Sequence, residues 1–170
     1  TETKDNLFFI TGPDKDEFLS LVKPSLKEKN LYIFISKSFS TDEVLLSHSW
    51  LPKNIAKKNL FAITANKSKA MELGFFEQNV IGFPESVGGR YSIWSQVNSP
   101  VLQPTESRNF LKGAASIDEN IQIKSTVKSA LKNIIFNDIW SHNFIDKKNR
   151  IILSYNWKLR SITNYLQQLE

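Results

Sequence analysis

With 170 residues, 41% of them apolar and 23% charged, the chain has the length and composition of a single globular domain with a buried core. The absence of cysteine excludes disulfides, thiolate metal sites and a cysteine nucleophile. No apolar run approaches the roughly 20 residues a membrane-spanning helix needs. The formal charge of +5 comes from lysines spread in ones and twos, such as Lys15, Lys57, Lys58, Lys147 and Lys148. Arginines interleaved with aromatics are missing, so the expectation is a solvated basic surface that attracts small anions, with no nucleic-acid partner and no membrane.

In chain order, residues 1–6 form a polar lead without an initiator methionine or an export leader, and Leu7-Phe8-Phe9-Ile10 reads as a buried strand ended by Thr11-Gly12-Pro13-Asp14. Phe18, Leu19 and Val22 recur at helical spacing over Asp16 to Val22, before Pro24. A polar run over 27–30 leads to Leu31-Tyr32-Ile33-Phe34-Ile35, which reads as a central strand buried on both faces. Ser40 and Thr41, followed by Asp42 and Glu43, have the form of a helix N-terminus, and that helix fails near Pro52.

Leu60 to Thr64 is the next strand, Lys67 to Leu73 a short helix stopped by Gly74, and Val80 to Phe83 a strand ending at Pro84. A helix is expected through Ile93, Trp94 and Val97, with Trp94 packed in the core. Phe110 to Ile121 and Val127 to His142 read as helices, Ile151-Ile152-Leu153 as a strand, and Trp157 to Leu169 as a closing helix. Strands alternating with helices predict an α/β fold with a parallel sheet of about five strands, covered on both faces. Both ends read as cut from something longer, and the lack of cysteine suits a reducing, cytoplasmic setting.

Two stretches carry chemistry. Ser36-Lys37-Ser38-Phe39-Ser40-Thr41 places hydroxyls and a lysine between a strand end and a helix start, where open α/β sheets bind ligands and helix N-termini favour anions. The same pattern also suits a capped helix with no ligand. Val87-Gly88-Gly89-Arg90-Tyr91-Ser92 sets a permanent cation beside backbone that a ligand can approach closely, an arrangement able to stabilise charge developing on a substrate oxygen. A tight turn with a surface charge accounts for it equally simply. His48 and His142, each near a tryptophan, read as ordinary packed residues.

Together these stretches resemble the glucose-6-phosphate isomerase family. The first is close to that family's Ser-Lys-Thr-Phe-Thr-Thr-Gln-Glu-Thr signature, and Val87 to Ser95 matches Val-Gly-Gly-Arg-Tyr-Ser-x-Trp-Ser at every defined position. Phe110 to Ala114, Ile151 to Tyr155 and Tyr165 to Glu170 are similar to later family segments, and the likeness runs from about Leu7 onward. It implies that residues 1–170 are a single sugar isomerase (SIS) domain, a flavodoxin-like three-layer αβα sandwich, belonging to a longer, cofactor-free and metal-free aldose–ketose isomerase. Such enzymes interconvert glucose 6-phosphate and fructose 6-phosphate through a cis-enediolate, serve glycolysis and gluconeogenesis, and are usually homodimers.

By position, the resemblance implies that Ser36, Lys37, Ser38 and Thr41 bind the phosphate of a phosphorylated hexose. Arg90 would stabilise the enediolate with the Gly89 backbone beside it, and Glu43 would support a catalytic histidine. Ser38 and Ser40 replace threonines but keep the hydroxyl; Asp42 and Val44 depart from the family's Gln and Thr. The Gly-Glu-x-Gly-Thr-Asn-Gly-Gln segment that carries the family's base does not occur here, so these residues alone are expected to bind without turnover. The alternative is a stand-alone SIS module that senses phosphosugars without catalysis.

Overall fold

The computed structural model describes residues 7–25 and 30–169; the polar segments read over 1–6 and 27–29, and Glu170, lie outside the described residues. The chain divides into two compact units, Thr1–Pro100 and Val101–Glu170.

The first unit is an α/β fold built on a parallel sheet, compatible with an αβα sandwich. Helix α1 spans Lys15–Ser25, entered through Asp14, whose carboxylate accepts from the Asp16 and Glu17 N–H groups at 2.9 and 3.0 Å. Strand β1 (Tyr32–Ile35), helix α2 (Asp42–Ser49), strand β2 (Leu60–Thr64), helix α3 (Lys67–Glu72) and strand β3 (Val80–Gly82) follow. The strand order is β1-β2-β3, all parallel, with Tyr32 opposite Leu60 and Ala62 opposite Val80.

β2 is the central strand. Leu60, Ala62, Ile63 and Thr64 are all buried, as a strand covered on both faces requires. β1, expected to be central, is an edge strand instead, and Ile33 and Ile35 stay exposed on it. Phe39, Leu60, Ala62, Ala70, Phe75 and Val80 form the core, with Tyr32, Phe34, Leu51, Ile55 and Leu73 packed against it. Asn79 is buried just before β3, where its side-chain amide donates to the Lys58 and Leu60 carbonyls at 3.1 and 2.9 Å. Gly74 ends α3 with φ +93°, a left-handed cap that a Cβ would strain.

Three strands pair among the described residues, where the sequence suggested five. Leu7 to Ile10 and Ile151 to Leu153 are not strands: Phe8 and Phe9 are 63% and 65% exposed, Ile151 and Leu153 78% and 67%. A strand needs a neighbour to take its backbone hydrogen bonds, and an apolar run of the right length does not specify one. The helix expected through Val97 resolves into two 3-10 turns, Gly89–Trp94 and Gln96–Asn98, and Trp94, expected in the core, is 47% exposed.

The second unit is helical. Helix α4 (Pro104–Ile123) begins with proline at its first turn, and the Gln103 N–H donates to the Glu106 carboxylate at 3.0 Å. Lys124, in an extended conformation, separates it from helix α5 (Ser125–Asn143). Along α5, Phe136, Trp140 and Phe144 stack at 5.8 and 4.7 Å, and Arg150 pairs with Asp138. A 3-10 turn over Trp157–Leu159 precedes helix α6 (Ile162–Leu169), with the Arg160 guanidinium 4.2 Å from the Trp157 ring centre.

Candidate functional site

β1 reaches its last regular bond to β2 where the Ser36 N–H donates to the Ile63 carbonyl at 3.1 Å. The chain then turns away, and the end of β2 holds it. The Lys37 carbonyl accepts both the Ala65 N–H at 3.1 Å and the Thr64 hydroxyl at 3.0 Å. Thr64 is fully buried, and its Oγ1 also accepts from the Asn66 N–H at 3.0 Å. One hydroxyl therefore joins the loop after β1 to the loop after β2.

The turn over residues 36–41 is folded about Phe39, which has φ +54° and no exposed surface. A bulky side chain in the left-handed region costs about 1–3 kcal/mol. Burying the ring offsets this by about 1.5–3 kcal/mol, with Phe75 edge-on at 5.4 Å. Because Phe39 points inward, Lys37, Ser38 and Ser40 are left exposed.

The hydroxyls form a network within this turn. Ser36 Oγ is buried, accepts from the Phe39 N–H at 3.1 Å and lies 2.7 Å from Thr41 Oγ1. Ser38 Oγ accepts from the Ser40 N–H at 3.3 Å and from the Ser40 hydroxyl at 2.8 Å. Both contacts fill acceptor positions, so the Ser38 proton is left for a partner outside the turn. Thr41 is the residue before α2, and its hydroxyl meets Ser36 rather than capping the helix.

Ser38 and Lys37 line an open cleft of about 840 Å³ at the carboxyl ends of the three strands, together with Asn66, Lys67 and Ser68 after β2 and Gly82 to Glu85 at and after β3. This is where open parallel sheets bind ligands. Ser36, which is buried, and Thr41, which is exposed, do not line it. Gly89 and Arg90 are exposed in the turn that follows β3, with the Ser92 hydroxyl donating to the Gly89 carbonyl at 2.7 Å; neither lines the cleft. Glu43 is exposed on the first turn of α2.

The sequence reading missed Phe39, Thr64 and Asn66 as parts of this site. Asn66 carried a readable signal, since it caps α3 by accepting from the Lys69 N–H at 3.1 Å. The roles of Phe39 and Thr64 had none, because both depend on what folds against them.

His48 is half-buried on α2 against the rings of Phe34 and Phe75, 5.7 and 5.4 Å away, and desolvation by burial holds its pKa below the usual 6.5. Well above pH 6.5 the residue is neutral whether folded or unfolded. As pH falls through 6.5 the unfolded chain takes up a proton that the folded chain resists, so stability falls as pH decreases. Urea midpoints measured from pH 7 down to 5 are expected to drop in the wild type and to drop less in His48→Gln; parallel pH curves for the two would contradict this. His142 is exposed on the last turn of α5.

Comparison with known proteins matches the Phosphoglucose isomerase family model to residues 1–170. The chain belongs to the phosphoglucose isomerase family. Among its curated relatives, glucose-6-phosphate isomerase 1 of Colwellia psychrerythraea is 31% identical over 180 aligned residues, which cover 97% of this chain and 32% of the relative. A glucose-6-phosphate isomerase of Pseudomonas putida is 32% identical over 174 residues, covering 95% and 31%. That of Shewanella amazonensis is 30% identical over 179 residues, covering 98% and 33%. This phosphoglucose isomerase family chain thus spans about a third of the length of these relatives. Among its described residues no group of three or more His, Asp or Glu side chains is placed to hold a metal ion, and no helix is long and apolar enough to cross a membrane.

Proposed function

We propose that this chain is the phosphate-binding part of a glucose-6-phosphate isomerase, which interconverts glucose 6-phosphate and fructose 6-phosphate through a cis-enediolate. The observation that carries the reading is the turn over residues 36–41. It uses the Ser38 oxygen as an acceptor and leaves its hydroxyl free to donate, beside Lys37, at the carboxyl ends of a parallel sheet. A phosphate dianion supplies the acceptor. Hydrogen bonds to a charged partner contribute about 1.5–3 kcal/mol each, so a few suffice to hold it.

In this reading Ser38 and Lys37 contact the phosphate directly. Ser36 and Thr41 share one hydroxyl–hydroxyl contact, which fixes the turn and leaves a single proton between them to donate onward. Arg90, with the Gly89 backbone, stabilises negative charge on the enediolate oxygens, and Glu43 orients a histidine supplied from outside these residues. The proton-transfer base also comes from outside them. We assign residues 1–170 to one sugar isomerase domain of a three-layer αβα, flavodoxin-like kind, in a dimeric parent acting in cytoplasmic glycolysis and gluconeogenesis.

Calorimetric titration of fructose 6-phosphate tests this. The wild-type chain is expected to bind and Ser38→Ala to bind about tenfold more weakly, the loss of one charge-assisted hydrogen bond. Equal affinities, or none in either, would remove the phosphate assignment. A coupled assay is expected to show no isomerase turnover by the 170 residues, and turnover would show that a base is present after all.

A further inference from the structure

We propose that Lys67, together with Lys37, clamps the phosphate group of the substrate across the cleft, adding a second cation to the hydroxyl turn. The proposal deepens the phosphosugar reading and rests on it.

Lys67 is the first residue of α3, exposed, and its side chain runs across the end of β3 over Gly82. The fit is close: a Cβ added to Gly82 would lie 2.4 Å from Lys67 Cε and 3.3 Å from its Nζ. Only a residue without a side chain leaves that path open. The path leads into the cleft that Lys37 and Ser38 line from the opposite loop. Gly82 thus leaves room for the end of the Lys67 side chain to lie against β3.

The charges on this cleft do not cancel among themselves. Lys37 and Lys67 face one acid, Glu85, and among the described residues no carboxylate lies within ion-pair distance of either lysine. Two unpaired cations facing a shared space repel each other, and an anion between them turns that repulsion into attraction. A compact dianion suits this cleft, because Lys37 and Ser38 line it from the loop after β1 and Lys67 from the loop after β2. A phosphate monoester is such a group, with three acceptor oxygens for three donors.

The test is calorimetric titration of fructose 6-phosphate into the wild-type chain, Lys67→Gln, Lys67→Arg, Gly82→Ala, the Lys67→Gln/Gly82→Ala double variant and Ser38→Ala, with thermal midpoints recorded alongside. Lys67→Gln is expected to weaken binding about tenfold and to lessen its salt dependence, with Lys67→Arg restoring most of the affinity. Gly82→Ala pushes aside only the flexible end of Lys67, so it is expected to weaken binding without lowering the midpoint. Adding it to Lys67→Gln should then cost nothing more. Wild-type affinity in Lys67→Gln, beside weakened binding in Ser38→Ala, overturns the role of Lys67 and leaves the phosphosugar reading intact. Additive losses in the double variant overturn the placement of Lys67 by Gly82. A wild-type chain that binds no sugar phosphate overturns both readings.

Discussion

Replacing Phe39 with alanine is expected to destabilise the Thr1–Pro100 unit by about 3–5 kcal/mol, the range for removing a fully buried aromatic ring. The ring is at the centre of the core, edge-on to Phe75 and within the cluster that joins β2, α3 and β3. The loss does more than open a cavity. The left-handed backbone at residue 39 persists because the buried ring outweighs its strain, and alanine keeps the strain without the burial. Phe39→Gly removes the same ring but tolerates φ +54°, so it is expected to be less destabilising than Phe39→Ala, the reverse of the order found inside a helix. Urea denaturation of the two variants measures both effects. A loss below about 1 kcal/mol in Phe39→Ala would mean that the turn is held by something other than its ring.

Thr64→Val is expected to have the second largest effect, about 1–3 kcal/mol, although the two side chains have nearly the same shape. Valine removes the donor to the Lys37 carbonyl and the acceptor of the Asn66 N–H, two part-buried bonds made by a fully buried side chain. Each lost bond costs about 0.5–1.5 kcal/mol, so losing two accounts for the expected effect. Thr64→Ser keeps both bonds and gives up one methyl, so it should cost about 1 kcal/mol. The functional consequence separates the two variants further. Because Thr64 ties the turn that carries Ser38 to the end of β2, Thr64→Val is expected to weaken fructose 6-phosphate binding and Thr64→Ser to leave it near wild type. Identical affinity in both variants would show that the turn keeps its shape without the Thr64 tether.

Much of the local structure was legible because it depends on neighbours in the chain. β2 and β3 lie where continuous apolar runs put them, α3 stops at Gly74, and α2 starts after Thr41 with acids in its first turn. Leu7 to Ile10 and Ile151 to Leu153 looked the same as these runs and form no strands, because pairing depends on a partner edge that lies elsewhere in the chain. β1 looked central for the same reason. Its composition suits burial on both faces, yet Ile33 and Ile35 remain exposed at the edge of a three-stranded sheet.

By itself the sequence determined two motifs and the family to which both belong: hydroxyls and a lysine between a strand and a helix, and a Gly-Gly-Arg turn after a later strand. Residue type and spacing along the chain carry that information. Only the tertiary structure decided how the turn is used. It buried Phe39 in a left-handed conformation, fastened Lys37 to the end of β2 through Thr64, spent the acceptor capacity of Ser38 on Ser40, and drew Lys67 across Gly82. Each of these joins groups through packing or a hydrogen bond whose partner no local pattern specifies, and hydrophobic burial is non-directional until the strands have paired.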